Sequence, residues 1–318
     1  PVPDTRLMTT QAIAPAVSSR RQFLSRSLGA GIAATAGTAI IPEKLAAVEP
    51  PKRSGKPAMR LSLAAYSFRD TFKDPEAFDM PKFIDYCADH GLDGTELTSY
   101  FFPEDADDAY YLSLKRHAFL RGIAVSGTAV GNNFALPKGA DLDQQIADVK
   151  HWIDHAAVLG APHIRVFAGA PKDIDHSLAV KNCIASLEEC CDYAGSKGIL
   201  LGLENHGGIV AEVPAMLEII NGVKSPWLGV NLDTGNFHTD DPYADLAKVA
   251  PWAVNVQVKV EMKPRGATEP LAADLPRLAT ILRNANYQGF VVLEYEAKED
   301  AFKAVPGYLD QLRKVISA

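Results

Sequence analysis

The chain has 318 residues, 47% of them hydrophobic and 22% charged, with a formal net charge of −7. This is enough apolar sequence for one large domain or two ordinary ones, and the acidic balance excludes the basic footprint of a nucleic-acid binder. Cys87, Cys183, Cys190 and Cys191 have neither zinc-ligand spacing nor a disulfide pattern, so they are expected to be buried free thiols.

In chain order, the first feature is "SRRQFLSRSLGAGIAATAGTAI", where Arg20 and Arg21 precede Phe23, Leu24 and a mildly apolar Gly/Ala-rich run. It resembles a bacterial twin-arginine export signal ending near Ala47, which implies a periplasmic or other extracytoplasmic protein. A short membrane anchor is the alternative, but the run is too short and weak to span a bilayer comfortably. Residues 48–59, with "VEPPKRSGKP", read as a linker, and 60–318 as the folded domain.

Beyond the linker, eight apolar runs are expected as strands at 60–68, 94–98, 123–128, 163–169, 199–205, 228–233, 253–260 and 289–296. Each is followed by a segment long enough for a helix, several ending in Gly. A repeat of about 30 residues is that of βα units with right-handed crossovers, and eight units point to an α/β protein, a single-domain (β/α)8 TIM barrel. A doubly wound open sheet is the alternative, but no Gly-rich phosphate turn follows the first run.

In such a barrel the site lies where strands end. Polar residues stand at those ends: Glu96, Glu204, Asp233, Gln257 with Lys259, and Glu294 with Glu296. In "AVNVQVKVEM" the valines alternate with Asn255, Gln257, Lys259 and Glu261, so one face of the seventh strand is apolar and the other polar. Glu204, Asp233, Gln257 and Glu294 fall one βα unit apart and converge at one mouth. Three carboxylates and an amide oxygen would repel one another without a cation, and all-oxygen ligation suits Mn2+ or Mg2+ best, with Ca2+ or Zn2+ as alternatives. The other reading is a structural network in which the carboxylates pair with Arg165, Lys259 or Arg265.

"LGLENHGG", "LGVNLDTGNF", "VQVKVE" and "FVVLEYE" resemble the fifth to eighth strand motifs of the xylose isomerase-like TIM-barrel superfamily. That group spans sugar isomerases and epimerases, inosose dehydratase and an apurinic endonuclease branch. By resemblance to its epimerases, Glu204, Asp233, the seventh-strand residue and Glu294 are the metal ligands. The seventh-strand position, usually His, is Gln257 here. The endonuclease branch needs further His ligands, but Asn236 and "RVFAGA" stand at those places, so a nuclease is not expected. The resemblance further implies that Glu204 and Glu294 exchange a proton on opposite faces of a ketosugar while the metal holds the enediolate oxygen.

Around them, His206 is expected in acid/base or substrate contact, and Lys259 as a partner for a substrate oxygen or a carboxylate. Arg165 is expected on substrate or in a salt bridge with Glu96. Glu96, Asn236, His238 and Tyr66 complete the expected substrate-binding set, with Tyr66, Phe68 and Trp252 as sugar platforms or packing. The partner is a small-molecule carbohydrate, without nucleic acid or, once the signal is removed, membrane; a homo-oligomer is open. Three functions follow: a metal-dependent sugar isomerase or epimerase, a lyase or dehydratase acting on a keto-sugar or 3-keto-glycoside, and a non-catalytic sugar-binding barrel.

Overall fold

The computed structural model describes residues 48–171 and 173–317; the expected export signal lies outside the described residues. Each expected run forms a strand: β1 (Ala58–Ala64), β2 (Gly94–Thr98), β3 (Ala124–Ala129), β4 (His163–Phe167), β5 (Leu200–Glu204), β6 (Leu228–Asp233), β7 (Ala253–Val258) and β8 (Gln288–Leu293). All pair in parallel with their sequence neighbours, and β1 also pairs with β8 from Ala58 opposite Gln288 to Leu63 opposite Leu293, closing the barrel. The fold is the expected (β/α)8 barrel.

The outer layer is α1 (Met80–Asp89), α2 (Asp108–Leu120), α3 (Ala140–Leu159), α4 (His176–Lys197), α5 (Val213–Gly222), α6 (Pro242–Val249), α7 (Leu275–Asn284) and α8 (Ala301–Ser317). Asp79, Asp107, Asp175, Asp241 and Asp274 accept hydrogen bonds from first-turn amides of their helices, satisfying donors that the helix itself leaves free. Gly160 and Gly198 stop α3 and α4 in the left-handed conformation, at φ of 82° and 74°, which a side chain would strain. All four cysteines are buried and unpaired.

Several strand ends differ from expectation, and two of them, with one hairpin, shape the mouth. β1 stops at Ala64, and a 3-10 turn over Ala65–Phe68 carries Tyr66 onward. β7 stops at Val258, so Lys259 lies beyond the strand with its amide donating to Thr234 Oγ1 at 2.9 Å. Between β7 and α7 a short hairpin pairs Glu261–Met262 with Leu271–Ala272.

At the opposite rim, the stretch read as a linker is pinned to the barrel. Trp252 Nε1 donates to the Val48 carbonyl at 2.9 Å, and Gln288 Nε2 to the Ser54 carbonyl at 2.7 Å. β1 itself begins at Ala58, two residues before the expected start. Trp252 is thus a packing residue of this rim and not a sugar platform.

The barrel interior departs from the aliphatic layers usual for this fold. Ser62 and Ser126 hydroxyls meet at 2.8 Å, and His163 Nδ1 lies 3.1 Å from the Ser126 carbonyl. Gly127 makes room for that imidazole: a Cβ there would stand 2.0 Å from His163 Cε1. Gly127→Ala is therefore expected to cost about 1–3 kcal/mol by overpacking, read as a lower denaturant midpoint at unchanged slope; an unchanged midpoint would show that the ring has slack.

Candidate active site

At the C-terminal ends of the strands a cavity of about 220 Å3 is lined by Tyr66, Tyr100, Arg165, Phe167, Glu204, His206, Lys259, Glu294 and Glu296. Glu204, Asp233, Glu294, Arg165 and Lys259 are all at most 8% exposed, so their charges lie where water cannot screen them.

Two ion-pair systems organise this mouth. Arg165 Nε faces Glu204 Oε2 at 2.9 Å without the alignment of a hydrogen bond, while its Nη1 donates to the Val130 carbonyl at 2.9 Å. The guanidinium lies 4.0 Å over the Phe167 ring, and Asn236 Nδ2 donates to Glu204 Oε1 at 2.9 Å. On the other side, Lys259 Nζ lies 2.6 Å from Glu294 Oε2, 2.8 Å from Glu296 Oε1 and 3.4 Å from Asp233 Oδ2. Burial alone would depress the Lys259 ammonium, but Asp233, Glu294 and Glu296 more than offset it and hold it charged. Arg165 is likewise held charged against burial, chiefly by Glu204.

The carboxylates still outnumber the cations. Burial drives the Glu204 pKa upward against the pull of Arg165, with Asp233 and Glu294 adding repulsion. Asp233 is raised too, again mainly by burial. One Asp233 oxygen accepts from the Gly235 amide at 2.8 Å, but Oδ2 is buried without a hydrogen-bond partner.

The structure corrects several expectations. Gln257 does not aim its amide oxygen at the carboxylates: Oε1 accepts from Asn231 Nδ2, and Nε2 donates to Glu96 Oε1 at 2.6 Å. Glu96 is fully buried beneath the mouth, with Asn255 Nδ2 on its other oxygen at 2.7 Å, so it is out of substrate's reach. Its pKa is raised to about 7, chiefly by burial. Arg165 pairs with Glu204 and not with Glu96. His238 is exposed, its Nδ1 3.0 Å from the Lys263 carbonyl, and lines an adjoining cavity instead of the inner one. Arg265 binds Glu212 at 2.7 Å on the surface. Phe68 is buried against Phe78 and Phe83 and has no face to offer a sugar.

His206 and Tyr66 do line the cavity. The His206 ring lies 4.4 Å from that of Phe167, and its pKa is lowered by burial and then by Arg165. Tyr100, Phe167 and Asn205 were missed. Tyr100 comes from the 3-10 turn after β2, which no strand periodicity marks. Asn205 clamps two strand ends: its Nδ2 donates to the Asp233 carbonyl and its Oδ1 accepts from the Asp233 amide, both at 2.9 Å. The only signal was its place in "LEN", beside Glu204.

As they stand, no three His, Cys, Asp or Glu side chains among the described residues are close enough to share a metal ion. The chemistry of the donors nevertheless fits a divalent cation. Glu204 and Asp233 at adjacent strand ends and Glu294 two strands further round are hard oxygen donors whose charge Arg165 and Lys259 only partly balance, and Asp233 Oδ2 is an orphaned oxygen among them. Lys259 and Arg165 supply the positive charge in this structure, which is the ion-pair alternative read from the sequence.

A family model described as "Xylose isomerase-like TIM barrel" matches residues 84–314. Among solved structures, D-psicose 3-epimerase from Clostridium cellulolyticum H10 is similar at 17% identity and a TM-score of 0.67, over 81% of this chain and 99% of that one. The 3-keto-D-glucoside 4-epimerase of E. coli is similar at 16% identity and a TM-score of 0.61, over 80% and 99%. A probable 3-DHS dehydratase of Bacillus anthracis is similar at 16% and 0.58, over 82% and 99%. No curated protein matches the chain in sequence.

Beneath the cavity, His163 is fully buried and its pKa is lowered to about 4, mainly by burial. The unfolded chain takes up a proton there near pH 6.5 and the folded chain only near 4, so His163 draws stability away as pH falls through that window, by on the order of 3 kcal/mol. The stability deficit of His163→Gln against the parent is therefore expected to shrink by that order between pH 6.5 and 4. A deficit constant with pH, measured by denaturant titration, would contradict the buried neutral imidazole.

Proposed function

The chain belongs to the xylose isomerase-like TIM barrel family, and on that premise we propose that it is a sugar isomerase or epimerase that moves a proton on the carbon beside a carbonyl. The observation that carries this reading is the pair Glu204 and Glu294. They come from different sides of one small cavity, both are buried, and each has its own cation: Arg165 at 2.9 Å and Lys259 at 2.6 Å.

In the proposed reaction a ketosugar lies between these two carboxyl groups. One removes the proton next to the carbonyl and the other returns a proton to the opposite face. Charge then develops on the carbonyl oxygen, and the Lys259 ammonium stabilises it without reorganisation, because Thr234, Asp233 and Glu296 already hold the residue in place. Arg165 and Asn236 fix the orientation of the Glu204 carboxyl. A Glu204 pKa raised by burial suits a group that holds a proton in one half of the cycle and releases it in the other. Tyr66, Tyr100 and Phe167 shield the site and offer apolar faces to the ring.

A divalent ion, Mn2+ or Mg2+ by donor hardness, would be held by Glu204, Asp233 and Glu294 and would polarise the sugar carbonyl when bound. A second reading, elimination from a keto-sugar or 3-keto-glycoside, is favoured by Glu296. It brings a further carboxylate to the mouth, 2.8 Å from the Lys259 ammonium, which carries the proton that a departing oxygen would take. We also propose that the protein acts outside the cytoplasm, on the strength of Arg20, Arg21 and the apolar run after them.

Incubation in D2O with ketoses and 3-keto-glycosides separates these readings. Deuterium at the carbon beside the carbonyl without cleavage is expected for an isomerase or epimerase, and release of the second group for a lyase. Glu204→Gln and Glu294→Gln should each slow exchange by about 10²–10⁴-fold. Wild-type exchange rates in both variants would remove Glu204 and Glu294 from the proton transfer, and no exchange with any sugar would leave a binding protein. Chelation followed by metal analysis and readdition of Mn2+ tests the ion; full exchange in metal-free protein would remove it from the reaction. For export, Arg20→Lys with Arg21→Lys should leave the protein in the cytoplasmic fraction, and unchanged export would refute the twin-arginine reading.

A further inference from the structure

The mouth has a second lobe. Beyond the inner cavity lies another of about 280 Å3, and the two share Lys259 and Glu296 as common wall. Neither lobe alone reaches the roughly 300–1,000 Å3 of small-molecule sites, whereas the two together fall within it.

The outer lobe is built on tethered elements. Its outer wall is the hairpin Glu261–Met262 and Leu271–Ala272, which is bound to the loop after β6. The Arg265 amide donates to the Thr239 carbonyl at 2.9 Å, and His238 Nδ1 lies 3.0 Å from the Lys263 carbonyl. The Ala273 amide donates to the Val260 carbonyl at 2.9 Å, closing the base of the hairpin. On the inner side Gly235 keeps the lobe open toward the cavity: a Cβ there would stand 2.6 Å from Lys259 Cγ, so any side chain would displace the lysine stem that joins the two lobes.

The lining is mixed in the way a sugar ring is mixed. Val260, Met262 and Pro270 give apolar surface, while His238, Lys263 and Glu261 give polar edges. A pyranose has apolar C–H faces and a hydroxyl rim, and the lobe offers both. The shared wall, the Lys259 ammonium and the Glu296 carboxyl 2.8 Å from it, stands where the two lobes meet.

We infer that the protein takes a glycosidically linked carbohydrate of two units, with the reacting ring in the inner lobe, the second ring or an aglycone of similar size in the outer lobe, and the linking oxygen beside Lys259 and Glu296. This deepens the reading of the site as a carbohydrate enzyme and rests on it. The outer lobe then determines specificity: it binds the part of the substrate that does not react, through residues separate from Glu204 and Glu294.

Calorimetric titration with the 3-keto forms of methyl α- and β-glucoside and with the 3-keto forms of maltose and cellobiose tests this. One of the disaccharides is expected to bind about tenfold or more tightly than the methyl glucoside of the same anomer. Pro270→Trp and Lys263→Trp, both exposed positions that fill the outer lobe, should abolish that advantage and leave the methyl glucoside affinity within about twofold. Equal affinities for methyl glucoside and disaccharide, or an advantage that survives both tryptophans, overturns the second subsite while the inner site stands. No binding of any of the four sugars overturns the carbohydrate reading itself, and the two-unit substrate with it.

Discussion

The arrangement of the mouth depends on one electrostatic constraint: buried carboxylates gathered from three strand ends must be compensated where water cannot do it. Glu204, Asp233 and Glu294 are each almost inaccessible. Their charges are answered by Arg165, reaching from β4, and by Lys259, just past β7. Neither cation is free to move far. Arg165 is stacked on Phe167 and bonded to the Val130 carbonyl, and Lys259 has its backbone tied to Thr234. The chemistry open to the site follows, since fixed cations beside paired acids stabilise developing negative charge without rearrangement.

The same constraint explains the polar layer below. Glu96, Asn231, Asn255, Gln257 and His163 occupy barrel positions that aliphatic side chains usually fill, and a network with few unpaired atoms makes them tolerable there. Gln257 belongs to this layer. Its two amide ends are used in holding Glu96 and Asn231, one level beneath the carboxylates it was expected to join. Site and support therefore meet on a single strand, Gln257 facing down into the network and Lys259 up into the mouth.

Strand ends turned out to matter more than strand interiors. Where β1 and β7 stop earlier than their apolar runs, the chain is released from the ladder and places Tyr66 and Lys259 over the opening. The hairpin between β7 and α7 adds a wall that a bare barrel lacks, and with it a second lobe sharing two charged residues with the first.

The barrel was legible in the chain itself, because short apolar runs alternating with helix-length segments leave few ways to bury so much surface. Glu204, Asp233 and Glu294 were legible for the same reason: whole βα units of spacing, one from Glu204 to Asp233 and two from there to Glu294, bring their strand tips to one mouth. What spacing could not tell was where each polar side chain spends its hydrogen bonds. That Arg165 chooses Glu204 over Glu96, that Gln257 turns inward, and that Tyr100 and Asn205 belong to the site are decided by contacts between residues far apart in sequence. A one-dimensional pattern records which face a residue takes, and only the closed barrel decides which partner it meets there.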